Sequence, residues 1–170
     1  YKLSSDEIPG EAVAAASVVH TSTWPISREP SRSTIFQVLR VANDQGKIVS
    51  FDPNYSPVVW PDHREAQDVM RDIYHHVPIP KASLDGSLPF VGPGHSPHEY
   101  IQEFHELGPR TVVFTMGKEG SLISEGNCLL GHLPARPVEV RDATGAGDAF
   151  WAGFLVALLD GNPPERCLLF

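Results

Sequence analysis

Apolar residues recur along this chain in two rhythms, short unbroken runs and runs spaced by three and four, and their alternation predicts helices and strands in turn. Glu11 to Ala16 is Ala-rich and helix-compatible, and Ser17 to Thr21 follows as a short strand. Trp24-Pro25 and Glu29-Pro30 break the chain into a loop. Beyond it, Ser31 or Ser33 is placed to cap a helix whose Ile35, Val38, Leu39 and Ala42 share one face, with Gly46 as its stop. Lys47 to Phe51 reads as a strand. Asp62 to His75 reads as an amphipathic helix with Ala66, Val69, Met70 and Ile73 inward, and Val77 to Ala82 as the next strand.

Ser96-Pro97-His98-Glu99 is a capping box with Pro at the first helical position, and Ile101, Phe104 and Leu107 carry that helix to Gly108-Pro109. Arg110 to Met116 has the unbroken apolar character of a strand buried on both faces, and Gly117 to Gly120 with Ser121 to Ser124 reads as a hairpin turn and its return. Asn127 to Leu133 and Pro137 to Val140 read as further short strands. Ala149 to Leu159 is apolar enough for a buried helix. Strands that alternate with helices imply an α/β fold: a mainly parallel sheet with helices on both faces and right-handed crossovers. No internal repeat, low-complexity segment or dividing linker interrupts residues 1–170, so a single domain is expected.

Composition narrows the partners. With 13 Lys and Arg against 21 Asp and Glu the formal charge is −8, which argues against nucleic acid as a partner because phosphate-backbone binders concentrate positive charge. Cys128 and Cys167 are far apart and form neither a disulfide framework nor a metal motif, which suits a reducing cytoplasm. No apolar run reaches membrane-spanning length and no signal peptide is visible, so no membrane partner is expected. His95, His98 and His105 lack any established ligand spacing.

The chemistry concentrates in Arg141-Asp142-Ala143-Thr144-Gly145-Ala146-Gly147-Asp148-Ala149-Phe150-Trp151-Ala152-Gly153-Phe154. Small residues from Gly145 to Gly147 allow a tight turn with uncovered amides at the start of an apolar helix. Unpaired N–H groups and the positive end of the helix dipole make such a start an anion site, and Asp148 beside it is placed to take a proton from a hydroxyl. The residues alone equally allow Thr144 or Asp148 to be a simple helix cap.

Asp142-Ala143-Thr144-Gly145-Ala146-Gly147-Asp148, followed by Phe150 and Gly153, resembles the C-terminal signature of the ribokinase-like (PfkB) carbohydrate kinases, and the stretch from Asp52 to Trp60 resembles fructokinase-like and ketodeoxygluconate-kinase-like members in particular. The resemblance implies a three-layer ribokinase-like fold and ATP-dependent phosphorylation of a sugar or sugar acid. It casts Asp148 as general base, Gly145, Ala146 and Gly147 as the anion hole, and Asp142 and Thr144 as holders of a monovalent cation such as potassium. It places Thr115, Gly117 and Gly120 against the nucleotide and implies Mg2+ with it. Asp52-Pro53-Asn54-Tyr55-Ser56-Pro57-Val58-Val59-Trp60 resembles a further stretch of these kinases, which assigns Asp52 and Asn54 to the substrate side. Ser56 stands there in place of the usual Arg, and a Pro-rich turn anchored by Trp60 is the plainer reading. Lys81-Ala82-Ser83-Leu84-Asp85-Gly86 falls where the family often carries Asn-x-x-Glu, with Ser83 and Gly86 at those two positions and Asp85 as the nearby carboxylate.

The chain opens on Tyr1 and ends within the apolar run Cys167-Leu168-Leu169-Phe170. Both ends are expected to be cut points in a longer fold, with the N-terminal sugar-contacting and lid region and the C-terminal end lying outside the chain. A truncated or non-catalytic fragment that binds nucleotide or a protein partner is therefore the competing expectation, and homo-oligomerisation is left open. No Gly-x-x-x-x-Gly-Lys-Ser/Thr loop and no Gly-x-Gly-x-x-Gly fingerprint occurs, which removes P-loop and dinucleotide-binding readings.

Overall fold

The structure is a computed structural model that describes residues 2–126 and 128–170, with 88–90 described in backbone only. A sheet in the order β1-β2-β3-β4-β5-β6 forms its centre. Strands β1 (Val18–Ser22), β2 (Ile48–Asp52), β3 (Ile79–Ser83) and β4 (Thr111–Thr115) run parallel, and β5 (Ser121–Glu125) and β6 (Cys128–Leu133) complete an antiparallel meander. Asn127, placed by the apolar pattern at the head of the sixth strand, lies outside the described residues.

Helix α1 (Gly10–Ala15) precedes β1; α2 (Ser31–Asp44), α3 (His63–Tyr74), α4 (Leu84–Val91) and α5 (Pro97–Glu106) fall between the parallel strands, and α6 (Ala146–Leu159) and α7 (Pro164–Cys167) follow the meander. Successive residues of a strand face opposite sides, and β4 divides its side chains accordingly. Val112 and Phe114 join the larger core with Leu39, Met70, Ile73, Tyr74, Ile101 and Phe104, whereas Val113 joins Ile123, Trp151, Phe154, Ala157 and Leu168 on the other side. The result is the three-layer α/β arrangement that the alternation implied. Each fully buried Leu, Ile or Phe contributes about 1.5–3 kcal/mol relative to exposure.

Local expectations fail at four places, each for a physical reason. Neither Ser31 nor Ser33 caps α2. Pro30 occupies the cap position, and the buried Ser31 hydroxyl instead accepts the Leu3 N–H at 3.2 Å. Pro137 to Val140 is not a strand, because it pairs with no neighbour and leaves Val138 and Val140 exposed. The segment after β3 is the helix α4, capped by Ser83, whose Oγ accepts the Gly86 N–H at 3.1 Å. Helix α6 begins at Ala146 and buries only Trp151, Phe154 and Ala157, with Val156 and Leu159 outward. Among the described residues no helix is long and apolar enough to cross a membrane.

Candidate active site

Helix α6 begins without a side-chain cap. Gly145 is the cap residue at φ 76°, a left-handed conformation that costs other residues about 1–2 kcal/mol, and neither Thr144 nor Asp148 bonds back to the helix start. The simple-cap reading of these two residues is therefore excluded. Thr144 N–H instead donates to Asp142 Oδ1 at 2.8 Å, and the Ala146 N–H is taken by the Ala143 carbonyl at 3.1 Å. Hydrogen bonds from the Thr144 backbone, and then its hydroxyl, hold the Asp142 carboxyl below the usual carboxylate range. Asp148 sits in the first helical turn and is exposed, as are Asp142, Thr144, Gly145 and Ala146.

Beneath this start lies an ion pair that the sequence did not announce. Lys81 from β3 donates to Asp52 Oδ2 at the end of β2, and the two side chains are only 5% and 7% exposed. Parallel pairing of β2 with β3 brings these residues, distant in sequence, onto the face that α6 covers. Two charges at that depth cost several kcal/mol each to desolvate and persist because each neutralises the other. Gly147 lies directly over the pair: a Cβ there would stand 3.1 Å from Lys81 Nζ. The glycine thus lets the helix start settle onto a buried ammonium. Asp52, expected on the substrate side, is 5% exposed and committed to Lys81. Asn54 is exposed, and its carbonyl accepts the Thr23 hydroxyl.

His20, read from the sequence as a packing residue, belongs to the same face. Its Nδ1 lies 2.9 Å from Ser50 Oγ, and Ser50 Oγ also accepts the Trp151 indole N–H at 2.8 Å. Burial pushes the imidazole below its ordinary pKa of 6.5; Asp52 and Asp148 pull it upward and Lys81 downward. Asp52, Lys81, His20 and Asp148 are therefore electrostatic neighbours at one end of the sheet, where open α/β sheets place ligands. Sequence reading missed Lys81, Ser50, Trp151 and the use of His20. The one available signal was the β2 and β3 assignments, which put Asp52 and Lys81 at strand ends of like direction.

The nucleotide-side expectations fall on the β4–β5 hairpin. Thr115 Oγ1 donates to the Ala82 carbonyl at 3.3 Å, joining the hairpin to β3, and Lys118 is exposed. Gly117 turns at φ 56° with open space around it. Gly120 is required both by its φ of 95° and by packing, since a Cβ would lie 2.0 Å from the Leu133 carbonyl oxygen. Around Trp60, Arg32 stacks at 5.4 Å from the ring and donates to the Ile26 and Ser27 carbonyls and to Glu65. Ser56 contributes its carbonyl to the turn that delivers Val59 and Trp60.

With this geometry in place, comparison with known proteins decides the family: the family described as pfkB family carbohydrate kinase matches residues 2–170. The chain belongs to the pfkB family of carbohydrate kinases. It is 34% identical over 151 residues to the ATP-dependent 6-phosphofructokinase of Thermoanaerobacterium thermosaccharolyticum, covering 89% of this chain and 46% of that protein. The fructokinase structure of Halothermothrix orenii is 37% identical with a TM-score of 0.79, over 95% of this chain and 55% of that one. A fructokinase double mutant of Vibrio cholerae in fructose, ADP and potassium ion bound form is 29% identical with a TM-score of 0.79, over 92% of this chain and 49% of that one. The chain thus spans about half the length of these relatives. Its fold is that of the ribokinase-like kinases.

Proposed function

We propose that the chain carries the phosphoryl-transfer half of an ATP-dependent kinase acting on a sugar or sugar acid, fructose-like substrates being favoured by the names of its relatives. One observation carries this reading. An uncapped helix start with Gly145 at φ 76° holds an acidic residue, Asp148, in its first turn and rests on a buried ammonium. In the proposed reaction Asp148 accepts the proton of a sugar hydroxyl as its oxygen bonds to the γ-phosphorus, and the bond from that phosphorus to the bridging oxygen of ADP breaks. Amides of Gly145 and Gly147, with the helix dipole, face the charge that develops on the phosphoryl oxygens, while Ala146, expected to share in the anion hole, has its N–H committed to the Ala143 carbonyl. Lys81, held by Asp52, supports the helix start from below, and Thr115, Gly117 and Gly120 shape the nucleotide side. Phosphoryl transfer needs positioning and charge stabilisation more than covalent help, and these groups supply that kind of assistance.

Magnesium is not held by the protein in this reading. Among the described residues no three His, Cys, Asp or Glu gather, Asp85 is exposed, and Gly86 brings no carboxylate, so no step is assigned to a protein-bound divalent ion. It enters with ATP as part of the substrate. Asp142, kept ionised by Thr144, offers donor chemistry suited to a hard monovalent cation, and Asp142 and Thr144 would hold potassium beside the anion hole, where it would supply fixed positive charge. Replacing potassium by a bulky organic cation at constant ionic strength should then lower the rate, and an unchanged rate removes the assignment.

Asp148 is exposed, and alignment of reactants away from water accounts for about 7–11 kcal/mol of such barriers. We infer that these 170 residues alone show negligible kinase activity while retaining weak nucleotide binding. A panel of hexoses, ketoses and sugar acids assayed with ATP, against the chain and against whatever longer polypeptide its gene encodes, tests this. Comparable phosphorylation by both would show that the chain suffices, and none by either would favour the second reading, a non-catalytic nucleotide-binding fragment. Gly86 is the observation on that side: at the third position of α4 it leaves the Ser83 cap without a carboxylate partner.

A further inference from the structure

Three polar groups from three elements stand in line from the buried Trp151 of α6 through the buried Ser50 to the exposed His20. His20 of β1 pairs in parallel register with Ser50 of β2, and the Trp151 indole reaches Ser50 from the helix. An indole N–H only donates, and a serine hydroxyl has one hydrogen to give. Ser50 Oγ takes the indole hydrogen on one lone pair and lies within hydrogen-bonding distance of His20 Nδ1, to which it can give its own hydrogen when that nitrogen is unprotonated. Trp151 is 3% exposed and stacked on Phe154 at a centroid distance of 4.9 Å, so the ring cannot turn without repacking the second core. The indole is thus fastened at its face by Phe154 and at its edge by β2.

Residues three apart on a helix share a side, so a bond at Trp151 fixes the rotation of the turn that carries Asp148. Clearance beneath that turn is already small, since a Cβ on Gly147 would meet Lys81 Nζ at 3.1 Å. We propose that Ser50 and Trp151 are positioning residues for Asp148: their hydrogen bond, terminated by His20, sets the start of α6 against the Asp52–Lys81 pair and so places the base. The proposal rests on Asp148 being the base of the reaction proposed above. The groups facing His20 are Asp52 from β2, Lys81 from β3 and Asp148 from α6. Protonating Nδ1 would turn the Ser50 hydroxyl away from the ring, so the line is intact above the ordinary histidine pKa of 6.5 and is disturbed as pH falls below it.

Two measurements test this on the protein as its gene encodes it. Ser50→Ala and Trp151→Phe should each lower kcat, by up to ~10²-fold for a displacement near 1 Å, with KM for sugar and nucleotide unchanged. The double variant should be no slower than the slower single one, because both remove the same bond. Independently of activity, the indole N–H resonance of Trp151, identified by its loss in Trp151→Phe, should shift with pH around a midpoint below 6.5, and the shift should vanish in Ser50→Ala and His20→Gln. An indole signal indifferent to pH, or additive kinetic losses, overturns the proposal. Wild-type kcat in Ser50→Ala alongside an inactive Asp148→Asn overturns it alone. Full turnover in Asp148→Asn overturns it together with the reading on which it rests.

Discussion

Helices α5 and α6 place a carboxylate at the same position, the third residue of the helix, and use it in opposite ways. In α5, Glu99 bends back to accept the Ser96 N–H at 2.6 Å while Ser96 Oγ accepts the Glu99 N–H at 3.3 Å, and Pro97 fills the first position. Those bonds hold the Glu99 carboxyl below its ordinary range. In α6 the corresponding residues are Gly145, Ala146, Gly147 and Asp148, no side chain caps the helix, and the acid stays exposed. A capped helix start satisfies its own amides; an open one keeps them for a ligand at a cost of about 1 kcal/mol of capping energy. What distinguishes the capped acid from the uncapped one here is the residue three positions before it, Ser in one case and Gly in the other.

The largest expected effect separates the two acids by function. Asp148→Asn should lower turnover by about 10²–10⁴-fold, the usual contribution of a positioned base, with thermal stability preserved because Asp148 has no cap bond to lose. Glu99→Gln should leave turnover unchanged. Near-normal phosphorylation by Asp148→Asn would mean that the open start serves no catalytic purpose.

Next in size is the support beneath the open start, which α5 lacks. Lys81→Met strands the Asp52 carboxylate in surroundings where it is 5% exposed, and removing one partner of a buried pair costs about 3–5 kcal/mol. Adding Asp52→Asn should recover much of that loss, measured by denaturant unfolding. A small loss in the single variant would show that water reaches the pair and that Gly147 does not seal it.

How far the sequence disclosed these differences depended on distance along the chain. The α5 cap was legible because its partners are three residues apart and the pattern Ser-x-x-Glu has one common geometry. The mainly parallel sheet was legible because β1 to β4 alternate with helices of clear period. The helix α4 was hidden because Gly86 and Pro89 both oppose helix by propensity, and only the Ser83 cap and packing override them. Pro137 to Val140 reads as a strand, yet it forms no strand pairing among the described residues. Asp52 with Lys81 and Ser50 with Trp151 are contacts between distant residues that only the sheet and its covering helix bring together, so no local pattern announced them. The uncapped start around Gly145 was legible as a local pattern, whereas the ion pair beneath it was not.

A smaller effect marks the closed start as structural. Ser96→Ala removes the hydroxyl that accepts the Glu99 N–H and should cost about 1 kcal/mol, read as a drop of a few degrees in Tm, with kcat and KM unaltered. A change in kinetics without a change in Tm would contradict the division between the two helix starts.

The smallest effect is the acid dependence of the α5 cap, and its sign follows from linkage. Hydrogen bonds from the Ser96 backbone and then its hydroxyl lower the Glu99 pKa from 4.5 in the folded chain. Between that ordinary value and the lowered one the unfolded chain binds more protons, so stability rises with pH across the window. The contribution is fully present above 4.5 and is lost as pH falls through the folded value. Glu99→Gln keeps an acceptor oxygen for the Ser96 N–H but removes the charge, so the variant should be slightly less stable than the parent at neutral pH and equal to it in strong acid. Unfolding curves of both proteins at neutral and acid pH measure the gap. A gap that persists unchanged into strong acid would show that the side chain acts through shape and packing, and that the charge at this third position is as unspent in α5 as it is at Asp148.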